Sequence, residues 1–158
     1  MLARLSVAIR NIIGLIELVE RIESENGNIY GVYAEITDHY SARNMLQALK
    51  AASRERLGKI EQLRRAAPLE NLFDAERSTR LGDPGADPDL EYAFDAGMQY
   101  VDFLMLICLR EEALSDLYNG LASIARDSRT ADLLHGLARD CERRRQLARS
   151  HYDLETLA

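Results

Sequence analysis

The chain has 158 residues, a formal net charge of −6 and a hydrophobic fraction of 47%. This length predicts one domain, and the apolar fraction is sufficient for a core. The acidic balance argues against a nucleic-acid partner, and the charges within the apolar N-terminal segment argue against a signal peptide or a membrane helix. The two cysteines form no CxxC pair, which predicts no disulfide framework and no zinc knuckle, and favours a reducing, cytoplasmic setting.

Four long helices are predicted in chain order. Apolar residues recur at helical spacing over about 11–37, 41–65, 98–126 and 130–154. The breaks within the first pair and within the second pair are short, so each pair is expected to form an antiparallel hairpin. Residues from about 66 to 96 hold all three prolines and the run GDPGADPD, which predicts a long crossover with at most short helical pieces. One long crossover between helices 2 and 3 is the ferritin-like arrangement, so we expect an all-α, ferritin-like four-helix bundle over residues 1–158.

The first and third predicted helices share a repeat centred on a glutamate. Glu23 is followed seven residues later by Tyr30, and Glu111 is followed seven residues later by Tyr118. Each glutamate lies on the apolar stripe of its helix. Each tyrosine is expected either to hydrogen-bond a carboxylate or to fill the core as an aromatic ring.

The second and fourth predicted helices each add a further glutamate. Glu55 follows Glu23 at almost the same separation as Glu142 follows Glu111, and the two separations differ by a single position. An interior carboxylate is costly unless it is paired or binds a metal. Four inward glutamates from two matched helix pairs therefore predict a carboxylate metal site at the centre of the bundle.

The repeat resembles the rubrerythrin branch of the ferritin-like superfamily over nearly the whole chain. The matching residues are Glu23-Tyr30-Tyr33-Ala34, Glu111-Tyr118-Leu121-Ala122, Ala51 with Glu55, and Ala138 with Glu142. The resemblance implies a di-iron site with glutamate and histidine ligands, and activity in peroxide reduction, O2 activation or ferroxidation. It therefore implies a non-haem iron oxidoreductase with Glu23, Glu55, Glu111 and Glu142 as iron ligands. Four glutamates without imidazole could also hold Mn or Zn.

The chain departs from the family at the two histidine positions of its Glu-x-x-His pattern. Gly58 follows Glu55 by three residues, and Arg145 follows Glu142 by three residues. Arg145 lies near the middle of an apolar stripe, so we expect its guanidinium to point inward among the carboxylates. The alternative is that its aliphatic stem carries the charge to the surface.

Three hypotheses follow from these patterns. The first is a metal-binding protein with an altered site and weak or changed oxidoreductase chemistry. The second is a metal-free relative of the same fold that acts as a structural or interaction module. The third is an unrelated helical bundle in which the repeat is coincidental. A homodimer is expected in addition, because the N-terminal segment has more apolar residues than four-helix packing needs: Leu2, Leu5, Val7 and Ile9.

Overall fold

The described part of the protein is mainly helical. A computed structural model describes residues 2–81 and 94–157, with side chains from residue 7 onward. The helices are α1 (Leu2–Ile36), α2 (Tyr40–Ala66), α3 (Leu69–Leu72), α4 (Ala75–Ser78), α5 (Tyr100–Ser123) and α6 (Ser128–Leu157), with a 3-10 turn at Thr79–Leu81. Within these residues the only β-type pairing is an isolated bridge between Phe73 and Ala125. The all-α prediction is confirmed.

Side-chain hydrogen bonds cap a helix end at each of the two short connections. At the end of α1 the Arg43 guanidinium donates to the carbonyl of Ala34 at 3.2 Å and to that of Thr37, just past the helix, at 2.8 Å. The first turn of α6 is capped by Asp127, which accepts from the backbone N–H of Thr130 at 2.8 Å and from its hydroxyl at 2.9 Å. These hydrogen bonds lower the pKa of Asp127. Each connection therefore ends one helix and begins its antiparallel neighbour within a few residues.

The long helices pack as two hairpins. Helices α1 and α2 are antiparallel. Glu20 pairs with Arg64, whereas Gly31, further along α1, lies against Lys50, which comes earlier in α2. Helix α6 runs against α5 in the same antiparallel sense. Helices α1 and α5 are also antiparallel neighbours, whereas α2 and α6 face each other across an open groove. The result is a helical bundle with one open side.

The segment between the hairpins contains only short helical pieces in its described parts, as predicted. It is hydrogen-bonded to α1 through Ser78. The Ser78 backbone carbonyl accepts from the Asn11 side-chain amide at 2.7 Å, and the Ser78 hydroxyl donates to the Ala8 carbonyl at 3.2 Å. It is also fastened to the α5–α6 turn, where Phe73 is buried and Arg126 donates to its carbonyl at 2.9 Å. The run GDPGADPD lies outside the described residues.

A charged layer, formed by the buried side chains of Glu23, Arg56 and Glu111, divides the apolar core into two clusters. The lower cluster, at the end where α1 begins, contains Ile12, Ile60 and Leu114. The upper cluster contains Leu49 and Phe103. The buried charged residues lie at intermediate positions on the same helices. None of the described helices has the length and apolar content needed to cross a membrane.

Candidate functional site

Two of the four predicted glutamates come together at the centre of the bundle. Glu23 on α1 and Glu111 on α5 are both buried. The Tyr30 hydroxyl donates to Glu111 at 2.9 Å, and the Tyr118 hydroxyl donates to Glu23 at 2.6 Å, so each helix supplies a donor to the carboxylate of the other. Burial, together with the carboxylate beside each ring, raises the pKa of both tyrosines well above the ordinary value. Both phenols therefore stay protonated and act as donors.

The cation between the two carboxylates is Arg56 of α2. Its Nε and Nη2 donate to the two oxygens of Glu23 at 2.7 and 3.0 Å. Its Nη2 also lies 3.1 and 3.0 Å from the oxygens of Glu111. The residue is only 2% exposed. Burial alone would lower the pKa of the guanidinium, but Glu111 and Glu23 raise it overall, so Arg56 remains charged.

A third carboxylate connects this cluster to the surface. Asp140 of α6 accepts from Nη1 of Arg56 at 2.7 Å, while its other oxygen lies 3.3 Å from Arg143 and 3.5 Å from Arg144. Burial acts to raise the pKa of Asp140, but the hydrogen bond from Arg56 and the nearby arginines lower it overall. Asp140 is therefore an anion held at the inner edge of the groove between α2 and α6.

The inner part of the cluster holds more negative than positive groups. Glu23 and Glu111 share the single guanidinium of Arg56, and burial raises the pKa of Glu111 even though Arg56 opposes the shift. Ser53 lies one turn before Arg56 and accepts a hydrogen bond from it at 3.3 Å. Burial also raises the pKa of the Cys141 thiol, and Glu111 and Glu23 add to that shift against the effect of Arg56. Cys141 is therefore an unreactive neutral thiol beside the carboxylates.

Glu55 and Glu142 do not join the other two glutamates. The Glu55 side chain is 70% exposed and lies 3.4 Å from Lys59 on its own helix. The Glu142 side chain is 40% exposed and accepts from Arg145 at 2.9 Å. The hydrogen bond from Arg145 lowers the pKa of Glu142. The predicted convergence of four glutamates is therefore wrong, because these two carboxylates lie on the solvent side of α2 and α6.

The inward orientation predicted for Arg145 is also wrong. Its side chain is 31% exposed and pairs along the helix with Glu142, so the surface alternative is the one that the structure has. The interior guanidinium that the buried carboxylates require is present, but it comes from Arg56 on the other hairpin. The general expectation of a cation among the carboxylates is correct, and the residue assigned to it is not.

A matched register in the two hairpins explains the wrong assignment. Helix α2 begins at Tyr40 and helix α6 at Ser128, each at the same separation from the buried glutamate of its own hairpin. A position on α2 is therefore equivalent to the position on α6 that follows Glu111 by as many residues as the first follows Glu23. Such pairs can be identified from the sequence. Ser53 on α2 is equivalent to Cys141 on α6, and Arg56 is equivalent to Arg144.

By the same criterion, Glu55 and Glu142 are not a matched pair. Glu55 and Glu142 follow Glu23 and Glu111 at separations that differ by one position, so they are not equivalent. At equal separations from the two buried glutamates, Arg56 and Arg144 are a pair of identical charged residues.

The residues at the centre do not fit a di-iron site. The guanidinium of Arg56 lies where a metal shared by Glu23 and Glu111 would have to lie. Within residues 2–81 and 94–157, no three histidine, cysteine, aspartate or glutamate side chains are grouped so that they could hold a metal ion. The three histidines bond or stack with other side chains: His39 and His151 with Tyr100, and His135 with Asn119.

Fold and site together define a helical bundle with a buried glutamate–arginine–glutamate cluster. Comparison of the chain with models of known protein families, with curated proteins and with solved structures finds no match.

Proposed function

We propose that this protein is a metal-free, ferritin-like bundle that acts as a structural or interaction module, with the Arg56 guanidinium in place of a metal. The observation that carries the proposal is the set of short contacts from Arg56 to both Glu23 and Glu111. A guanidinium is a permanent cation with several directed donors, so it can neutralise carboxylates that would otherwise need a metal.

The ferritin-like part of the proposal rests on connectivity and on the origin of the glutamates. The two antiparallel hairpins are joined by the long segment from residue 67 to residue 99. Each hairpin supplies one buried glutamate from its first helix, and a tyrosine seven residues later donates to the glutamate of the other hairpin. In ferritin-like carboxylate proteins the ligands also project inward from facing helices.

The interaction role is favoured over catalysis by the burial and saturation of the cluster. Glu23, Arg56 and Glu111 are at most 2% exposed, and their polar groups are used in contacts with one another and with the two tyrosines. A substrate would have to break these hydrogen bonds before it reached the carboxylate of Glu23 or Glu111. The open surface of the bundle is instead the groove between α2 and α6, which Arg56 and Asp140 border, and a partner can bind there while Glu23 and Glu111 stay paired with Arg56.

The first experiment tests Arg56 as the resident cation by chemical rescue. The Arg56→Ala variant should unfold at a lower temperature, because it leaves two buried carboxylates without a counter-ion. Millimolar guanidinium or methylguanidinium, well below denaturing concentrations, should raise the Tm of this variant, since a ligand that binds only the folded state stabilises it. Sodium chloride at equal ionic strength should give no comparable increase, and neither should the same additives with Arg145→Ala.

The second measurement separates this proposal from a metal-binding, rubrerythrin-like protein. Protein purified without chelator is analysed for iron, manganese and zinc, and its Tm is measured with and without EDTA. We expect substoichiometric metal and an unchanged Tm. Stoichiometric metal whose removal lowers the Tm by several degrees would refute the metal-free proposal and restore the altered oxidoreductase site as the better hypothesis.

A further inference from the structure

The groove between α2 and α6 is an open face along one side of the bundle. Its upper part is lined by Ala52, Gly136 and Leu137, and its lower part by Leu63, Leu72 and Leu133. The two parts share Lys59 and Leu133, so they form one continuous groove, with volumes of about 480 and 570 Å³. In the described part of the segment between the hairpins, Leu72 borders the lower end of the groove, whereas α4 packs on α1 and Leu81 lies against Gly120 of α5.

An exposed apolar stripe continues the groove towards the upper end. Leu147 and Leu154 follow Gly136 by about three and five helical turns, so they lie on the same line of α6. Leu154 is 69% exposed, and Leu147 is also solvent-exposed. On α2, Ala48 continues the opposite wall because it precedes Glu55 by seven residues. Small side chains on this wall leave room for a partner's helix to approach closely.

The charges on the two walls are arranged in opposite order. From the upper end downward, α2 presents Glu55 and then Lys59, whereas α6 presents Arg143 and then Asp132. If two copies face each other about a two-fold axis parallel to the helices, α2 of each copy lies against α6 of the other at the same height. Each acidic side chain then meets a basic one, which is the self-complementarity that an isologous interface needs.

We infer that a second copy of this chain docks on the α2–α6 groove and forms a two-fold homodimer through this face. From Arg129 to Leu154 the face is roughly 38 Å long, and two helix diameters make it roughly 20 Å wide. Its area of roughly 750 Å² is comparable with the ~800 Å² per partner of stable complexes. A partner of single-sign charge would be repelled by half of the charges on the rim. The inference rests on the proposed interaction role and names the partner.

Sedimentation velocity over a range of concentrations tests the inference. The parent should be dimeric, and Gly136→Arg should raise the dimer Kd roughly a hundredfold by placing a long side chain in the groove. A Cβ at Gly136 meets only the Arg139 guanidinium, at 3.9 Å, so the variant should fold with an unchanged or higher Tm. Leu154→Glu should weaken the dimer as well. The matched control is Val32→Arg, an exposed apolar residue of α1, which should leave the dimer intact.

Charge reversal tests the two-fold pairing itself. Glu55→Arg and Arg143→Glu should each weaken the dimer, and the double variant should recover most of the lost affinity. A parent that is monomeric at every concentration, a Gly136→Arg variant that dimerises like the parent, or a double variant without recovery would each overturn the inference. None of these outcomes bears on the guanidinium rescue of Arg56→Ala, so the two proposals can fail separately.

Discussion

The Arg56 guanidinium is the counter-ion of the buried carboxylates Glu23 and Glu111, although nothing in its immediate sequence distinguishes Arg56 from its neighbours. It is one of three consecutive charged residues, Arg54, Glu55 and Arg56, and only the third is buried. Removing its charge would leave Glu23 and Glu111 facing each other in a low-dielectric interior. Breaking a buried ion pair in this way costs more than the intact pair contributes, because the remaining charges are unsolvated.

The two arginines considered for the central role give a matched test. Arg56→Met should lower the free energy of unfolding by roughly 3–5 kcal/mol, since it leaves buried carboxylates uncompensated. Arg145→Met should lower it by less than about 1 kcal/mol, because Arg145 forms only a partly exposed pair along its own helix. Urea unfolding of both variants, monitored by circular dichroism, measures the difference. Equal losses would contradict the assignment of Arg56 as the interior cation.

Asp140 should make a pH-dependent contribution whose sign follows from its lowered pKa. A carboxyl whose pKa is lower in the folded state than in the unfolded chain stabilises the fold at pH values above the unfolded pKa, about 3.9 for aspartate. This contribution is lost as the pH falls through the folded pKa. The difference in unfolding free energy between the parent and Asp140→Asn should therefore be constant above about pH 5 and shrink below about pH 4.

Unfolding by urea at a series of pH values measures this difference directly. Asp116→Asn is a suitable control, because Asp116 is an exposed residue of α5 that does not line the groove. A gap between the parent and Asp140→Asn that widened on acidification would have the wrong sign for a carboxylate held by Arg56.

At the scale of the helices, the sequence predicts the hairpins well and the inward faces of α2 and α6 poorly. On α1 and α5 the glutamates stand alone within apolar stripes, so burial follows from helical periodicity. On α2 and α6 the candidates lie in charged runs, such as Arg143, Arg144 and Arg145, where every residue type is equally polar. Consecutive residues differ by about 100° around a helix, so an error of one position turns a buried site into a surface one. Composition cannot resolve that choice.

The matched register leads to a design prediction at the same scale. A Glu-x-x-His pattern at equivalent positions of α2 and α6 requires Ser53→Glu, Arg56→His, Cys141→Glu and Arg144→His. Together with the two buried glutamates of α1 and α5, these residues reproduce the ligand set of a di-iron carboxylate bundle. This variant should retain iron or zinc through gel filtration, as measured by metal analysis.

The control for this design uses the positions that the sequence pattern suggested. Gly58→His with Arg145→His places imidazoles beside the exposed Glu55 and Glu142, so it should retain no more metal than the parent. If this control bound metal as well as the four-residue variant does, the equivalence of positions in the two hairpins would be wrong.

At the scale of the whole molecule, the charged layer joins the two hairpins where the apolar core is interrupted. The lower and upper clusters each contain residues of both hairpins, so hydrophobic packing connects the hairpins above and below the charged layer. The layer adds directed hydrogen bonds between α1 and α5 and between α2 and each of the other long helices. Such bonds fix one relative position of the hairpins, because a helix that slides by one turn loses its partner.

The charged layer is therefore expected to contribute specificity more than stability. Buried ion pairs replaced as a set by apolar side chains often leave a protein equally stable, or more stable by roughly 1–4 kcal/mol, because the desolvation cost disappears. The variant with Glu23→Leu, Arg56→Leu, Glu111→Leu, Tyr30→Phe and Tyr118→Phe removes the three charges of the glutamate–arginine–glutamate cluster together with both donor hydroxyls. Its free energy of unfolding should equal or exceed that of the parent, whereas Arg56→Leu alone should be strongly destabilised. Amide NMR spectra should show broader or multiple resonances for the five-residue variant, because its hairpins can pack in more than one register. A variant as unstable as Arg56→Leu would instead mean that the charged layer is itself a net source of stability.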